Sequence, residues 1–326
     1  MPLPFILGGL ALVAAGYGVK KGIDVLDADC EADEFIKKAE NLKEESKRKV
    51  DNAQSSRNQA LVRLGKKKLH VLSHTVSNFL DHFHRLNRSR IIIEGINMQD
   101  IQRQVSDARN LLNQLNANGI DGDSAPGVIA GFGSLGISSF TTGAILGGGL
   151  AASGLAGMAV VGGLLAAPAL AILGAVSADE MEKKRDDAKA YCSQVEVAVK
   201  KADVMIDDLR SVEKMAKLFT RQITKFDALF FSLAQEAIAT MKKHHYYTSH
   251  YNQKEKDQLC VTVSTLSTLS AFLKAPIMDE HQKLNKKAQN ALKLMRNQIN
   301  ALESGQKSRH YDVAMIQSNQ TSLENL

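Results

Sequence analysis

Apolar residues recur at alternating steps of three and four along most of this chain, with charged residues between them. The longest series lies between Asp179 and His245, and its apolar positions are Val195, Val199, Ala202, Ile206, Leu209, Val212, Ala216, Phe219, Ile223, Phe226, Phe230, Leu233 and Ala237. This spacing places all of them on one face of a single long α-helix. Because no segment alternates at every second residue, as a half-buried strand does, the sequence predicts an all-α fold without a sheet.

Three shorter series have the same spacing and predict further amphipathic helices of coiled-coil type. A Gly and β-branched residues between Arg88 and Asn97 indicate a break in the first half of the chain, and Pro276 predicts a kink or break in the second. The sequence therefore predicts an elongated bundle of long helices. The series are Leu72, Val76, Phe79, Phe83 and Leu86; Ile101, Val105, Ala108, Leu112 and Leu115; and Leu284, Ala288, Leu292, Met295, Ile299 and Leu302.

The stretch from Ser124 to Ser177 interrupts this pattern, because it contains no Asp, Glu, Lys or Arg. A run of about 20 apolar residues can cross a bilayer, and this stretch is long enough to cross twice as a helical hairpin. Small residues recur in it at four-residue spacing, which lets two helix backbones approach closely. The predicted packing positions are Gly127, Gly131, Gly143, Gly147, Gly149, Ala151, Ser153, Gly157, Ala167, Ala171 and Ala175.

The same stretch has a second interpretation, a buried core hairpin of a soluble bundle. Each helical glycine costs roughly 0.5–1 kcal/mol relative to alanine, so such a core would need close packing from outside. Membrane insertion is the favoured interpretation. Whether insertion is permanent or follows a conformational switch from a soluble form is open at this point.

These patterns divide the chain into five predicted segments. An uncleaved helix is favoured for the apolar N-terminus, because no positive residues precede it, and an export signal is the alternative. The segments are 1–22, the apolar N-terminal helix; 23–123, a helical arm; 124–178, the glycine-rich hydrophobic hairpin; 179–303, a long helical arm with a kink at Pro276; and 304–326, a disordered tail.

The charge of the chain is mildly basic, with a formal net charge of +6. It is spread over both arms and forms no stripe, so a nucleic-acid partner is not expected. Basic groups near the hairpin predict cytoplasmic arms, at the inner membrane in a bacterium. The residues expected to contact lipid headgroups, with a solvated helix face as the alternative, are Lys66, Lys67, Lys68, Lys183, Lys184 and Arg185.

Motifs for catalysis or cofactor binding are not found in the sequence. It contains no G-x-x-x-x-G-K-[ST], H-E-x-x-H or G-x-S-x-G pattern. His70 and His74 lie one helical turn apart, but a solvated face is favoured over a metal site or a pH sensor. Cys30, Cys192 and Cys260 are widely spaced and predict neither a disulfide framework nor a metal site. We therefore expect no enzyme activity, cofactor or metal.

Long amphipathic helices around one uncharged, small-residue hairpin resemble the α-helical pore-forming toxins of the haemolysin E and Bacillus tripartite enterotoxin type. The Gly/Ala-rich composition of Gly127 to Ala175 is also similar to that of the membrane segment in apolipoprotein-L-like and other glycine-zipper membrane proteins. The resemblance implies a hydrophobic element that is packed away in a soluble form and released into a bilayer as the protein oligomerises.

The chain departs from the secreted toxins because it lacks a convincing signal peptide, and this favours an intracellular protein acting on its own cell's membrane. The expected function is therefore membrane insertion and bilayer perturbation by a homo-oligomer, such as a bacterial defence or stress effector. The alternative is a membrane-anchored scaffold whose coiled arms recruit partner proteins without forming a pore.

Overall fold

The computed structural model describes residues 24–86, 98–117, 124–135, 178–279, 283–308 and 310–325. Within these ranges the regular elements are helices, and extended pairing is limited to an isolated bridge between Met278 and Leu284. The all-α prediction is confirmed. The apolar N-terminus, the Arg88–Asn97 break and most of the predicted hairpin lie outside the described residues.

Eight α-helices are described, together with two short helical segments of other types. Helix α1 continues without a break into a π-helical segment and then into α2. In chain order the elements are α1 Asp24–His70, the π-helical segment Val71–Val76, α2 Ser77–Phe83, α3 Met98–Ala117, α4 Ser124–Leu135, α5 Ala178–Lys243, a 3-10 turn Thr248–His250, α6 Gln253–Lys274, α7 Lys286–Ser308 and α8 Val313–Glu324.

The chain forms two compact units, and α1 and α5 each contribute to both. The smaller unit contains Met1–Val50 and Val160–Val204. Within its described part, Ala39 of α1 is fully buried in a cluster with Tyr191, Cys192 and Val195 of α5. This cluster of four buried residues forms a short apolar contact between α1 and α5.

The larger unit contains Asp51–Ala159 and Met205–Leu326 and holds the main core. Every predicted α5 position from Ile206 to Ala237 is buried there, which confirms the predicted stripe. Phe219 stacks on Phe272 of α6 with ring centroids 4.5 Å apart. Large side chains thus interlock across this interface, as in an ordinary protein core.

Helix α6 is the innermost of the described helices in this unit, since every residue from Val261 to Ser270 is buried. No charged residue occurs between Asp257 and Lys274, and a helix without a charged face is expected to be buried. The hydroxyls of Thr262, Thr265 and Thr268 donate to the carbonyls four residues earlier, as Thr265 does to Val261 at 2.7 Å. Self-satisfied hydroxyls allow a Ser/Thr-rich helix to lie in the core. The hydroxyl residues that are buried are Thr262, Ser264, Thr265, Ser267, Thr268 and Ser270.

The C-terminal segment differs from the prediction that 304–326 is disordered. Helix α7 continues to Ser308, and α8 follows from Val313 to Glu324. Ile316 is fully buried and Leu323 is 5% exposed, so this short helix is ordered by packing against α6. Two buried apolar positions are too few to be recognised as a periodic stripe in the sequence.

Pro276 separates α6 from α7, as predicted, but α7 begins only at Lys286. The described residues of this connection, 277–279 and 283–285, pair as a short extended turn instead of forming a helix. In this turn the amide of Asn285 donates to the carbonyl of Ile277 at 2.8 Å. This arrangement leaves the amide of Ile277 to bond elsewhere.

Candidate functional site

Helix α4 is the first part of the uncharged stretch, and it packs on α1 through backbone contacts. A Cβ atom on Gly65 would overlap the carbonyl oxygen of Ile129, and one on Gly133 would lie 2.5 Å from the carbonyl oxygen of Leu61. Only glycine fits at both positions, because any side chain would force the two backbones apart. The contact therefore depends on the shape of two backbones.

The neighbouring face of α4, about 100° around the helix, is held by apolar burial, and the C-terminus of α4 is held by backbone hydrogen bonds. Val128 is 6% exposed and Phe132 is 1% exposed, and both lie in the main core. The carbonyl of Ser134, near the C-terminus of α4, accepts a hydrogen bond from the amide of Ile277 at 2.8 Å. Carbonyls in the last turn of a helix have no partner within it, so the turn after Pro276 supplies the missing donor.

The sequence predicted that the small residues of the uncharged stretch pack on one another within a hairpin, and most of that stretch lies outside the described residues. The contact that the structure describes joins α4 to α1 instead. Gly127 and Gly131 lie in α4, but the close approach is made by Gly133 and by Gly65 of α1. Gly65 lies within a strongly charged segment of α1, so the sequence pattern did not indicate that it would contact another helix. The other predicted packing residues lie outside the described ranges: Gly143, Gly147, Gly149, Ala151, Ser153, Gly157, Ala167, Ala171 and Ala175.

The predicted headgroup residues of α1 lie in three different environments, because successive residues of a helix point about 100° apart. Lys66 is exposed. Lys67 forms an ion pair with Asp227 of α5, with Nζ 2.8 Å from Oδ2. Lys68 is fully buried, so in this structure it cannot contact a headgroup, contrary to our expectation. The triplet does not form one basic surface.

Lys68 is the most unusual side chain of the site. Its Nζ has no hydrogen-bond partner among the described residues, and Leu64 and Leu72, one turn to either side, are also fully buried. Burial lowers the pKa of Lys68 from 10.5 to about 7, because the charged form loses its hydration. This destabilising group lies one turn beyond Gly65, where α4 contacts α1.

The other predicted headgroup residues lie near the N-terminus of α5, in the smaller unit. Lys183 is exposed, and Lys184 and Arg185 are partly buried. Arg185 forms a short-range pair with Asp186 at 3.4 Å and a longer one with Glu31 at 4.0 Å. These residues belong to the smaller unit, whereas the α1 triplet belongs to the larger one.

Helices long and apolar enough to cross a membrane are not found among the described residues. The described residues also contain no group of three or more His, Cys, Asp and Glu side chains that could hold a metal ion. Comparisons with family models, curated proteins and solved structures find no match. The fold and the site thus define only a class: an all-α protein with an uncharged segment attached to its bundle by a glycine-mediated contact.

Proposed function

We propose that this protein inserts into membranes, oligomerises and perturbs or permeabilises a bilayer, with its bundle holding the start of the uncharged segment before insertion. The observation that carries the proposal is the docking of α4 on α1. The beginning of a segment long enough to cross a bilayer twice is bound to the bundle through a short contact of defined geometry.

The contact has properties that suit reversible release. Helix α4 has only 12 residues, and an isolated helix of that length is marginal in water, so α4 is ordered chiefly by its contacts. Unpartnered Lys68 lies one turn away and opposes folding of this region. Once released, an uncharged segment rich in small residues is better solvated by lipid than by water, and its small faces favour helix association there.

A membrane-anchored scaffold is the second candidate, and exposed apolar residues on α5 favour it. Val197 is 53% exposed and Val204 is 65% exposed, and their separation of seven residues places them on one helix face. Such a face suits docking of a partner helix. In this case the uncharged segment would anchor the protein without opening a pathway.

The test combines membrane fractionation with vesicle leakage for the full chain and the variant Gly133→Ala. Loosening the α1–α4 contact should raise wash-resistant membrane binding and dye release, whereas Gly131→Ala, two residues away in the same helix, should behave as the wild type. Wash-resistant binding without leakage from either protein would favour the scaffold. Complete removal of both proteins by an alkaline carbonate wash, with no leakage, would refute membrane insertion.

A further inference from the structure

A surface groove of about 780 Å³ in the larger unit contains side chains of both charge signs next to an exposed aromatic ring. It is formed by the end of α1, the π-helical segment, α2, α3 and α5. The π-helical turn widens the helix at this point, and such turns are frequent at functional sites. Its charged side chains are Lys67, Asp81, Arg109 and Asp227, and Phe231 lies at its edge.

The cationic part of the groove centres on Arg109 of α3. Its Nη2 atom donates to the hydroxyl of Ser77 and lies 3.7 Å from a carboxylate oxygen of Asp81. Both contacts use the same nitrogen, so the Nη1 and Nε donors are left for an anion within the part of the chain that is described. The Nη1 and Nε N–H groups lie on different edges of the guanidinium, so each can donate a single hydrogen bond to a phosphate oxygen.

The anionic part is Asp227 of α5, which is 8% exposed. Its Oδ2 accepts from Lys67 at 2.8 Å, whereas its Oδ1 has no hydrogen-bond partner among the described residues. An unpaired carboxylate oxygen in a nearly buried position is costly, so a donor at this position would be stabilising. Because Oδ1 is closed off from solvent, a ligand would reach it by opening the Lys67 ion pair.

Phe231 lies one turn beyond Asp227 on α5, at the edge of the groove, and is 52% exposed. Aromatic rings are favoured at the interface between water and lipid. An exposed ring beside a groove with both charge signs therefore suits a ligand that is attached to a membrane.

We propose that this groove binds a zwitterionic phosphodiester headgroup of the ethanolamine class, an inference that rests on the proposed membrane function. The primary ammonium of the headgroup replaces Lys67 at Asp227 and donates to Oδ1. Lys67 then joins Arg109 at the phosphate, so no charge is left unpaired by the exchange. Phe231 enters the lipid interface beside the headgroup.

The first experiment measures binding of soluble glycerophosphoethanolamine to the full chain by calorimetry, which requires no membrane. We expect saturable binding that is at least tenfold weaker for the choline analogue, which has no N–H donor, and for inorganic phosphate. Asp227→Asn should weaken binding at least tenfold, and Asp207→Asn, an exposed aspartate on the same helix, should not. Equal binding of phosphate and the zwitterion, or unchanged binding by Asp227→Asn, would overturn the proposal.

A second variant guards against a folding defect in Asp227→Asn. Arg109→Gln removes the phosphate donors and should also weaken binding, with the helix content of both variants checked by circular dichroism. If both variants keep the wild-type helix content and the wild-type affinity, the groove is not the binding site.

Vesicles distinguish a lipid headgroup from a free metabolite with the same chemistry. Phe231→Ala should reduce binding to phosphatidylethanolamine vesicles and leave binding of the soluble headgroup unchanged, with Tyr247→Ala as the exposed aromatic control. Unchanged vesicle binding by Phe231→Ala would overturn the assignment to lipid.

The same vesicles separate this inference from the proposed function. Equal leakage with and without ethanolamine lipid would overturn the headgroup inference and leave membrane permeabilisation standing. Headgroup binding without membrane insertion would refute permeabilisation and support the groove.

Discussion

Two helix contacts in the larger unit are built in opposite ways. Helix α5 contacts α6 through large side chains, with Phe219 stacked on Phe272 and both fully buried. Helix α4 contacts α1 through backbone atoms at Gly65 and Gly133, and the buried Lys68 lies three residues after Gly65 on α1. The first contact excludes water from a large apolar area and stabilises the fold. The second brings two backbones together at glycines, one turn from the buried Lys68, and under the proposed function it is the contact that opens.

The largest expected effect concerns Lys68 and the pH dependence of stability. Its pKa is about 7 in the folded protein and 10.5 in the unfolded chain, so the unfolded state binds the extra proton between these values. The free energy of unfolding should therefore rise with pH from about 7 to 10.5, by as much as ~5 kcal/mol, and stay flat for this group below that range. Urea titrations in this range measure the slope.

Lys68→Met keeps a side chain of similar volume and removes the amine that titrates. We expect the variant to be more stable than the wild type at pH 7 and to lose the slope. Lys66→Met, whose lysine is exposed, supplies the control for all other titrating groups. If the wild-type slope persists in Lys68→Met, the lysine is not buried in solution.

The second prediction breaks the side-chain contact. Phe219→Ala leaves a cavity against Phe272 and should cost about 3–5 kcal/mol of unfolding free energy. Chemical denaturation followed by circular dichroism measures this loss. Phe231→Ala, on the same helix with a 52% exposed ring, should change stability by less than about 0.5 kcal/mol. Equal losses would show that α5 does not pack as described.

The third prediction breaks the backbone contact. Gly133→Ala forces α4 away from Leu61 and should cost about 1–3 kcal/mol, because the neighbouring atoms are backbone and cannot rotate away. Hydrogen exchange should show faster exchange at Val128 and Phe132 but unchanged protection in α6. A uniform increase throughout the larger unit would mean that α4 belongs to the cooperative core and cannot detach independently.

The smallest effect concerns the N-terminus of α6. The side chain of Asn252 accepts from the amide of Glu255, and the Glu255 carboxylate accepts from the amide of Asn252, which makes a reciprocal capping box. Asn252→Ala should cost about 1 kcal/mol. Thermal unfolding measures this, with Lys254→Ala as the control. Because α6 is the innermost helix, the loss should appear in the global transition and leave α4 exchange unchanged.

Helices with one regular apolar face could be predicted from the sequence alone. The series on α5 predicted both its limits, within two residues, and its buried side, because charged residues on the other faces admit only one orientation. Helix α6 was not predicted to be central, since its Ser and Thr residues count as polar in a periodic pattern. The hydroxyls of Thr262, Thr265 and Thr268 donate to carbonyls of the helix itself, which periodicity does not show.

The α1–α4 contact of the candidate site was not predicted. Small residues in the uncharged stretch indicated a close helix contact, but the partner, α1, is a charged helix whose single glycine gave no signal. Lys68 was grouped with Lys66 and Lys67 as a basic surface, because adjacent lysines look alike in a sequence. The bundle around α1 places one of them in solvent, one against Asp227 and one in the core.

The sequence by itself determined that the fold is all-α, that α5 buries one face and that a long uncharged segment interrupts the chain. These properties follow from local periodicity and from the absence of charge, which act along a single helix. Only the tertiary structure decided which glycine meets which backbone, that Ile277 supplies a donor to Ser134, and which lysine is buried. Those outcomes depend on contacts between residues far apart in the chain, and no local pattern specifies them.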